Sequence, residues 1–173
     1  MLLIRRATAA DLPAIMNLVR RVVPLMHAAS NFQWEASYPN AAVFGQDLAR
    51  EQLWVAELDG RLAGVAALTT DQDPEYTLAD WDPAAPAVVT HRLAVDPDFQ
   101  GRGVAAALLA QAEVLAREWG LNRLRVDTNS ENQATRRLFP KLGYRFAGEI
   151  GLAFRPGLRF FCYEKILPAG KAD

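Results

Sequence analysis

Cysteine and histidine are scarce in this chain of 173 residues, which contains one cysteine and two histidines. A single cysteine excludes an internal disulfide, and so few thiols and imidazoles argue against a structural zinc site. Cys162 lies in the apolar run FFCYEKIL, which predicts a buried and unreactive thiol. We therefore expect a protein without a metal, located in the reducing environment of the cytoplasm.

An excess of positive charge is also missing, because 19 Lys and Arg residues face 20 Asp and Glu residues. Proteins that bind nucleic acid usually carry a basic excess, so we expect no such partner. No apolar run reaches the roughly 20 residues that span a membrane, and the N-terminus has no apolar leader segment. The remaining 51% hydrophobic content predicts a globular protein with one domain over residues 1–173.

Hydrophobic periodicity predicts a mixed α/β (α+β) fold. After a first strand, LLIRRAT, helical spacing follows from Leu12 to Met26, and a short helix is expected around Val43 to Gln52. Asp59-Gly60 joins two apolar strands and predicts a hairpin. A strand, AVVTHRLAV, a long Ala/Leu-rich helix, a strand, a short helix and two closing strands complete the order. Hairpins combined with crossovers indicate a mixed sheet.

The stretch VDPDFQGRGVAAALL places two glycines, Gly101 and Gly103, directly before the Ala/Leu-rich helix. Backbone N–H groups in the first turn of a helix lack intrahelical partners and lie at its positive end, so they bind phosphate groups well. Glycine lets the backbone approach a phosphate without a Cβ in the way. The pattern therefore predicts a phosphate-binding loop.

Two other phosphate motifs fit this stretch less well. Gly101, Gly103 and Ala106 match the dinucleotide fingerprint, and Asp127 follows Ala106 by 21 residues. However, several residues separate the preceding strand from the first glycine, and hairpins precede it, whereas a dinucleotide-binding strand runs straight into its glycine. A Walker A loop would end in Gly-Lys-Ser/Thr, which is absent here. NAD, FAD and nucleoside triphosphates are therefore disfavoured.

Two ordered motifs carry a family resemblance. HRLAVDPDFQGRGVAAALL and NQATRRLFPKLGYRFAGE are separated by one helix and one strand. Together they resemble the acyl-CoA-dependent N-acetyltransferases of the GNAT superfamily, whose phosphate loop reads [Q/R]-x-x-G-x-[G/A]. The resemblance covers most of the chain. It implies a twisted, mostly antiparallel sheet of six to seven strands flanked by four helices, with splayed central strands.

The same resemblance implies acetyl-CoA as co-substrate and assigns residues to it. The pyrophosphate would lie on the loop, with Arg102 either adding a charge or remaining solvated. The pantetheine arm would bind the splayed strand and Asn132, unless Asn132 serves only as a helix cap. The implied cofactor-binding residues are Leu93, Ala94, Val95, Gln100, Gly101, Arg102, Gly103, Val104, Ala105, Asn132 and Phe139.

The catalytic groups are less directly implied, because Phe139 stands where many family members have a tyrosine as general acid. Tyr144 and Tyr163 are the nearby phenols, and each could instead be a packed core ring. His91 is the candidate base, because an imidazole titrates near neutral pH. Strict alternation along the strand would place it on the same face as Leu93 and Val95, and a purely structural histidine is the alternative.

Aromatic and acidic residues in two loops predict a cationic amine as acceptor. A small or amino-acid-like amine is the first expectation. The alternatives are a peptide or protein acceptor, or a catalytically silent acyl-CoA sensor, and a homodimer is left open. The proposed acceptor-binding residues are Trp34, Glu35, Tyr38, Asp80 and Asp82.

Overall fold

A single twisted sheet organises residues 1–169, which the computed structural model describes. Its seven strands are β1 Leu2–Arg6, β2 Leu53–Leu58, β3 Arg61–Thr69, β4 Val88–Val95, β5 Arg123–Asn129, β6 Arg145–Leu152 and β7 Arg155–Ile166. The four α-helices are α1 Leu12–Ala28, α2 Ala41–Ala49, α3 Val104–Glu118 and α4 Gln133–Lys141.

The strands are arranged in the order β1-β2-β3-β4-β5-β7-β6, and only β4 and β5 run parallel. The predicted mixed and mostly antiparallel sheet is therefore confirmed. Helix α3 packs on one face in a cluster with Leu108 and Leu115, whereas α1 packs on the opposite face through Ile15 and Leu18. Within residues 1–169, no helix combines the length and the apolarity that crossing a membrane requires.

Helix α2 lies slightly nearer the N-terminus than its predicted range. Asn40 caps α2 by accepting a hydrogen bond from the Val43 amide, so this helix begins before the predicted start. Pro140 lies inside α4, yet the helix extends to Lys141. Because Pro140 lies in the last turn, only a terminal hydrogen bond is lost.

A β-bulge interrupts β4 at Arg92. Ala67 of β3 pairs with His91, whereas Val65, two residues away, pairs with Ala94, so β4 contains one extra residue. Arg92 has a φ of 53° and its guanidinium binds the Asp47 carboxylate of α2 through two contacts of 2.7 Å. The inserted residue reverses the alternation of side chains along the strand.

Strands β4 and β5 separate soon after they meet. They pair only where Val88 to Thr90 lie beside Leu124 to Val126. Beyond Thr90, β4 continues to Val95 along β3, and β5 continues to Asn129 along β7. The backbone edges that face each other across this gap are therefore available to a ligand, as the splayed-strand prediction requires.

Candidate functional site

The glycine loop, residues 96–103, connects β4 to α3 and exposes the first-turn amides of that helix. Gly101 and Gly103 have φ values of 74° and 79°, in the left-handed region that favours glycine. Gly103 is the N-cap of α3 and has no side chain to occupy the amides that follow. These donors point out of the loop with the positive end of the helix dipole, which is the arrangement that binds pyrophosphate.

A cavity of about 930 Å³ runs from this loop into the gap between β4 and β5. We call it the large cavity. Its wall includes most of the residues assigned to acetyl-CoA by resemblance: Leu93, Ala94, Val95, Gln100, Gly101, Gly103, Val104, Ala105, Asn132 and Phe139.

Arg102 is the exception, because its side chain turns away from the large cavity. Its guanidinium donates to Asp59 Oδ2 at 3.1 Å and lies over the ring of Phe99. Of the two readings of this arginine, the structure favours the solvated surface residue. The Arg102 side chain binds Asp59 in the turn between β2 and β3.

Asn132 combines both roles considered for it. Its Oδ1 accepts a hydrogen bond of 3.2 Å from the Thr135 amide and so caps α4. The residue also lines the large cavity. Since the cap uses only the amide oxygen, the amide nitrogen keeps its donors for a ligand.

The two candidate tyrosines lie in the core rather than in the cavity wall. Tyr144 and Tyr163 are each 4% exposed, and their rings pack against Phe139 at centroid distances of 5.8 and 5.3 Å. Burial raises the pKa of both phenols. Neither is among the residues that line the two cavities described here, so the structure does not bring a tyrosine acid to the site from these positions.

His91 does lie in the wall, but on a different face from the one expected. Because of the bulge at Arg92, His91 shares a face with Ala94, while Leu93 and Val95 pack on the opposite face near α3. The alternation argument was therefore wrong. His91 Nε2 lies 3.1 Å from the Asp71 carbonyl oxygen, which can only accept, so Nε2 carries the proton in the neutral ring. The basic lone pair is then on Nδ1.

Two neighbours of His91, Asp73 and Asp127, were not predicted as site residues. Asp127 follows the paired part of β5, and Asp73 belongs to the loop between β3 and β4, residues 70–87. One imidazole nitrogen of His91 and one carboxylate oxygen from each aspartate lie within 4.8 Å of one another. The sequence does contain a signal for part of this cluster. His91 and Asp127 each follow an apolar segment of a predicted strand, and two parallel strands would bring such residues together.

Tyr76 holds Asp127 in place. Its hydroxyl donates to Asp127 Oδ2 at 2.5 Å, and its ring packs edge-on against Trp81. Burial raises the pKa of Asp127, while the hydrogen bond from Tyr76 and the charge of His91 act in the opposite direction. The pKa of the Tyr76 phenol is also well above its usual value because the ring is buried. Tyr76 therefore remains a neutral donor.

A second cavity of about 500 Å³ adjoins the large one, and His91 and Asp73 line both. We call it the small cavity. Among the predicted acceptor residues, Tyr38 lines both cavities, Glu35 lines the small one and Trp34 the large one.

Asp80 and Asp82 were the wrong acidic residues to choose. Asp80 is 87% exposed and pairs with Arg145 on β6, and the Asp82 side chain accepts from the Ala84 amide. Neither lines the cavities. The same loop instead contributes Asp73, whereas Asp80 and Asp82, which follow the short 3-10 helix Pro74–Leu78, are exposed.

Comparison with known proteins agrees with this geometry. Residues 19–144 match the model of the Acetyltransferase (GNAT) family. An uncharacterised N-acetyltransferase of Mycobacterium tuberculosis is 29% identical over 99 residues, which cover 57% of this chain and 56% of that protein. The chain therefore aligns with little more than half the length of this relative. N-acetylaspartate synthetase of Danio rerio is 28% identical over 105 residues, 61% of this chain and 33% of that protein.

Solved structures share the whole fold. A GNAT-family acetyltransferase from Streptococcus agalactiae superposes with a TM-score of 0.79 at 27% identity, covering 96% of each chain. A candidate acetyltransferase from Salmonella typhimurium, solved with its cofactor acetyl-CoA, gives 0.71 at 23% identity and covers 99% of this chain and 96% of its own.

Proposed function

Because this chain belongs to the Acetyltransferase (GNAT) family, we propose that it transfers the acetyl group of acetyl-CoA to the amino group of a small cationic molecule. The observation that carries the proposal is the continuity of the two cavities. The large cavity reaches from the glycine loop to His91, and the small cavity begins at the same histidine. A donor and an acceptor would therefore meet beside an imidazole.

The chemistry requires few protein groups. The α3 amides would hold the pyrophosphate, and the facing edges of β4 and β5 would bind the pantetheine arm and direct the thioester toward His91. His91 accepts a proton from the ammonium, whose nitrogen then uses the freed electron pair to attack the thioester carbonyl. The thiolate leaves with the C–S electron pair and takes up the second N–H proton, which the nitrogen releases as the neutral amide forms. A thiol pKa near 8.5 makes it a tolerable leaving group without a strong acid.

The size and charge of the small cavity support a small cation as acceptor. Its volume of about 500 Å³ suits a metabolite. Its wall contains four carboxylates and three arginines, and each arginine pairs with one carboxylate, so that within residues 1–169 Asp73 is the wall carboxylate without an ion-pair partner. The name of one relative, N-acetylaspartate synthetase, supports extending the panel of acceptors to amino acids.

Release of free CoA across a panel of amines, amino acids and short peptides tests this proposal. We expect turnover with small primary amines, binding of acetyl-CoA in the micromolar range, and no binding of NAD. Turnover confined to peptides would identify a peptide N-acetyltransferase. Binding of acetyl-CoA without turnover of any acceptor would identify a sensor, and either result would overturn the proposal.

A further inference from the structure

Three acceptor groups converge where the two cavities meet. They belong to Asp73, His91 and Asp127, and one atom from each lies within 4.8 Å of the others. All three side chains are partly buried, and all three line the large cavity. They come from the β3–β4 loop and from two different strands, so the fold brings together groups that are distant in sequence.

In the part of the chain that the structure describes, no cationic side chain forms an ion pair with Asp73 or Asp127, unlike two other acids of the cavity walls. Asp47 is bound by Arg92 at 2.7 Å, and Glu35 by Arg155 at 3.1 Å. Within residues 1–169, in contrast, the Asp73 carboxylate has no hydrogen-bond or ion-pair partner. Among the same described residues, the Asp127 carboxylate receives only the neutral hydroxyl of Tyr76. Carboxylates in a partly buried wall without a cation favour a cationic ligand.

The spacing suits an ammonium ion. Charge-assisted hydrogen bonds of about 2.8 Å along tetrahedral N–H directions place their acceptors about 4.6 Å apart. A divalent metal with bonds of about 2.1 Å would need its ligands only about 3.0–3.4 Å apart. The upper limit of 4.8 Å on the separations in this cluster is compatible with the spacing that a primary ammonium needs.

We propose that Asp73, His91 and Asp127 form a three-acceptor ammonium site that selects primary amines over N-methylated ones. This inference rests on the proposed function, since it assigns the acceptor class of that same site. Each N–H of a primary ammonium has one acceptor, and the organic substituent extends into the small cavity. His91 removes one proton as imidazolium forms, and the two carboxylates retain the other two N–H groups.

N-methylation tests the site without altering the protein. A methyl group replaces one N–H and leaves one acceptor facing carbon. Leaving a buried acceptor unpaired lowers affinity by about ten- to a hundredfold. We therefore expect KM to rise by that factor from the best primary amine to its N-methyl form. The N,N-dimethyl form, tested as a competitive inhibitor, should bind more weakly again.

Charge-removing variants provide the second arm. Asp73→Asn and Asp127→Asn keep the shape of the side chains, and each should raise KM for the primary amine about tenfold or more with an unchanged Kd for acetyl-CoA. Asp80→Asn is the matched control, because Asp80 belongs to the same loop but lies outside both cavities. Thermal melting verifies that each variant is folded.

The outcomes separate the two proposals. Two results would overturn the ammonium site and leave the acetyltransferase function standing. The first is turnover of primary amines together with equal affinity for their methylated forms. The second is turnover of primary amines with an unchanged KM in Asp73→Asn. No turnover with any amine would overturn both.

Discussion

Phe139 occupies the position at which the resemblance leads one to look for a tyrosine acid. Its ring is 1% exposed and lies in the wall of the large cavity, with Tyr144 and Tyr163 packed behind it. We expect Tyr144→Phe and Tyr163→Phe to leave kcat within about threefold of the original value, since neither hydroxyl reaches the cavity. Phe139→Tyr should change kcat only modestly. If Tyr144→Phe or Tyr163→Phe lowers kcat by about 100-fold, the replaced tyrosine is the general acid.

His91 is the residue whose removal should have the largest effect on the reaction. A positioned general base contributes about 10²–10⁴-fold to the rate. We expect His91→Ala to lower kcat/KM by at least about 100-fold near neutral pH, measured by CoA release. The Kd for acetyl-CoA should not change, because His91 acts on the amine. An unaltered pH profile with an unaltered rate would show that the base lies elsewhere.

Asp127 should make amine affinity depend on pH. Burial and the charge of Asp73 raise the pKa of the Asp127 carboxyl, and the hydrogen bond from Tyr76 and the charge of His91 oppose this shift. The cross-strand neighbour of Asp127 is Cys162, whose thiol pKa is raised to about 12, so this thiol stays neutral. A cation binds the ionised carboxylate, so affinity is present above the raised pKa and is lost as the pH falls through it.

The measurement is KM as a function of pH for an amine that stays charged over the whole range. We expect KM to rise toward acid pH. Asp127→Asn should raise KM at neutral pH and flatten this dependence. A slope that survives in the Asp127 variant would assign it to another group.

Among the elements, the turn that begins α3 depends on backbone conformation more than on space. A Cβ at Gly103 would meet no atom within 4 Å, yet its φ of 79° disfavours side chains. Gly103→Val should therefore weaken acetyl-CoA binding by about 1–3 kcal/mol, because a strained turn misaligns the amides.

Gly103→Asn is the informative companion, since Asn tolerates left-handed backbone. Isothermal titration with acetyl-CoA distinguishes the two causes. Binding retained in the Asn variant and lost in the Val variant identifies backbone conformation. Equal loss in both would show that any side chain at this N-cap interferes, either by blocking the phosphate or, for Asn, by occupying the first-turn amides. Unchanged affinity in the Val variant would remove the loop from the proposed binding site.

At the scale of the whole molecule, the β3–β4 loop is held to the sheet by one buried guanidinium. Arg125 is 0% exposed and pairs with Glu164 at 2.8 Å. It also donates to Gln72 Oε1 at 2.6 Å and to the Asp82 carbonyl at 2.7 Å. The loop carries Asp73 and Tyr76, so Arg125 positions part of the ammonium site from outside it.

Replacing Arg125 with Met should destabilise the fold by up to about 3–5 kcal/mol, because the buried Glu164 carboxylate keeps only its 3.1 Å contact with Arg123. Adding Glu164→Gln should restore much of the stability measured by denaturant unfolding. It should not restore KM for the amine, because the loop still lacks its anchor. Recovery of both quantities together would show that Arg125 acts on stability alone.

The fold and the glycine loop were accessible from sequence because both depend on local signals. Hydrophobic spacing in α1 and α3, the Asp59-Gly60 hairpin and the paired glycines each act over a few residues. The acceptor side was less accessible, since Asp73 and Asp127 are brought together only by the sheet order and the course of a loop. Asp80 and Asp82 were chosen from loop composition, which does not reveal which way a side chain faces.

The bulge at Arg92 also determines which side chains of β4 lie on each face of the sheet. Successive side chains of a strand point to opposite faces of the sheet, so one inserted residue moves every later side chain to the face opposite the one it would otherwise occupy. His91 precedes the insertion and Leu93 follows it, so one continuous strand faces the acceptor with its imidazole and α3 with its apolar side chains. A deletion at this position would leave both residues present and would place one of them on the wrong face. The site is thus more sensitive to a change of one residue in length here than to most changes of residue type.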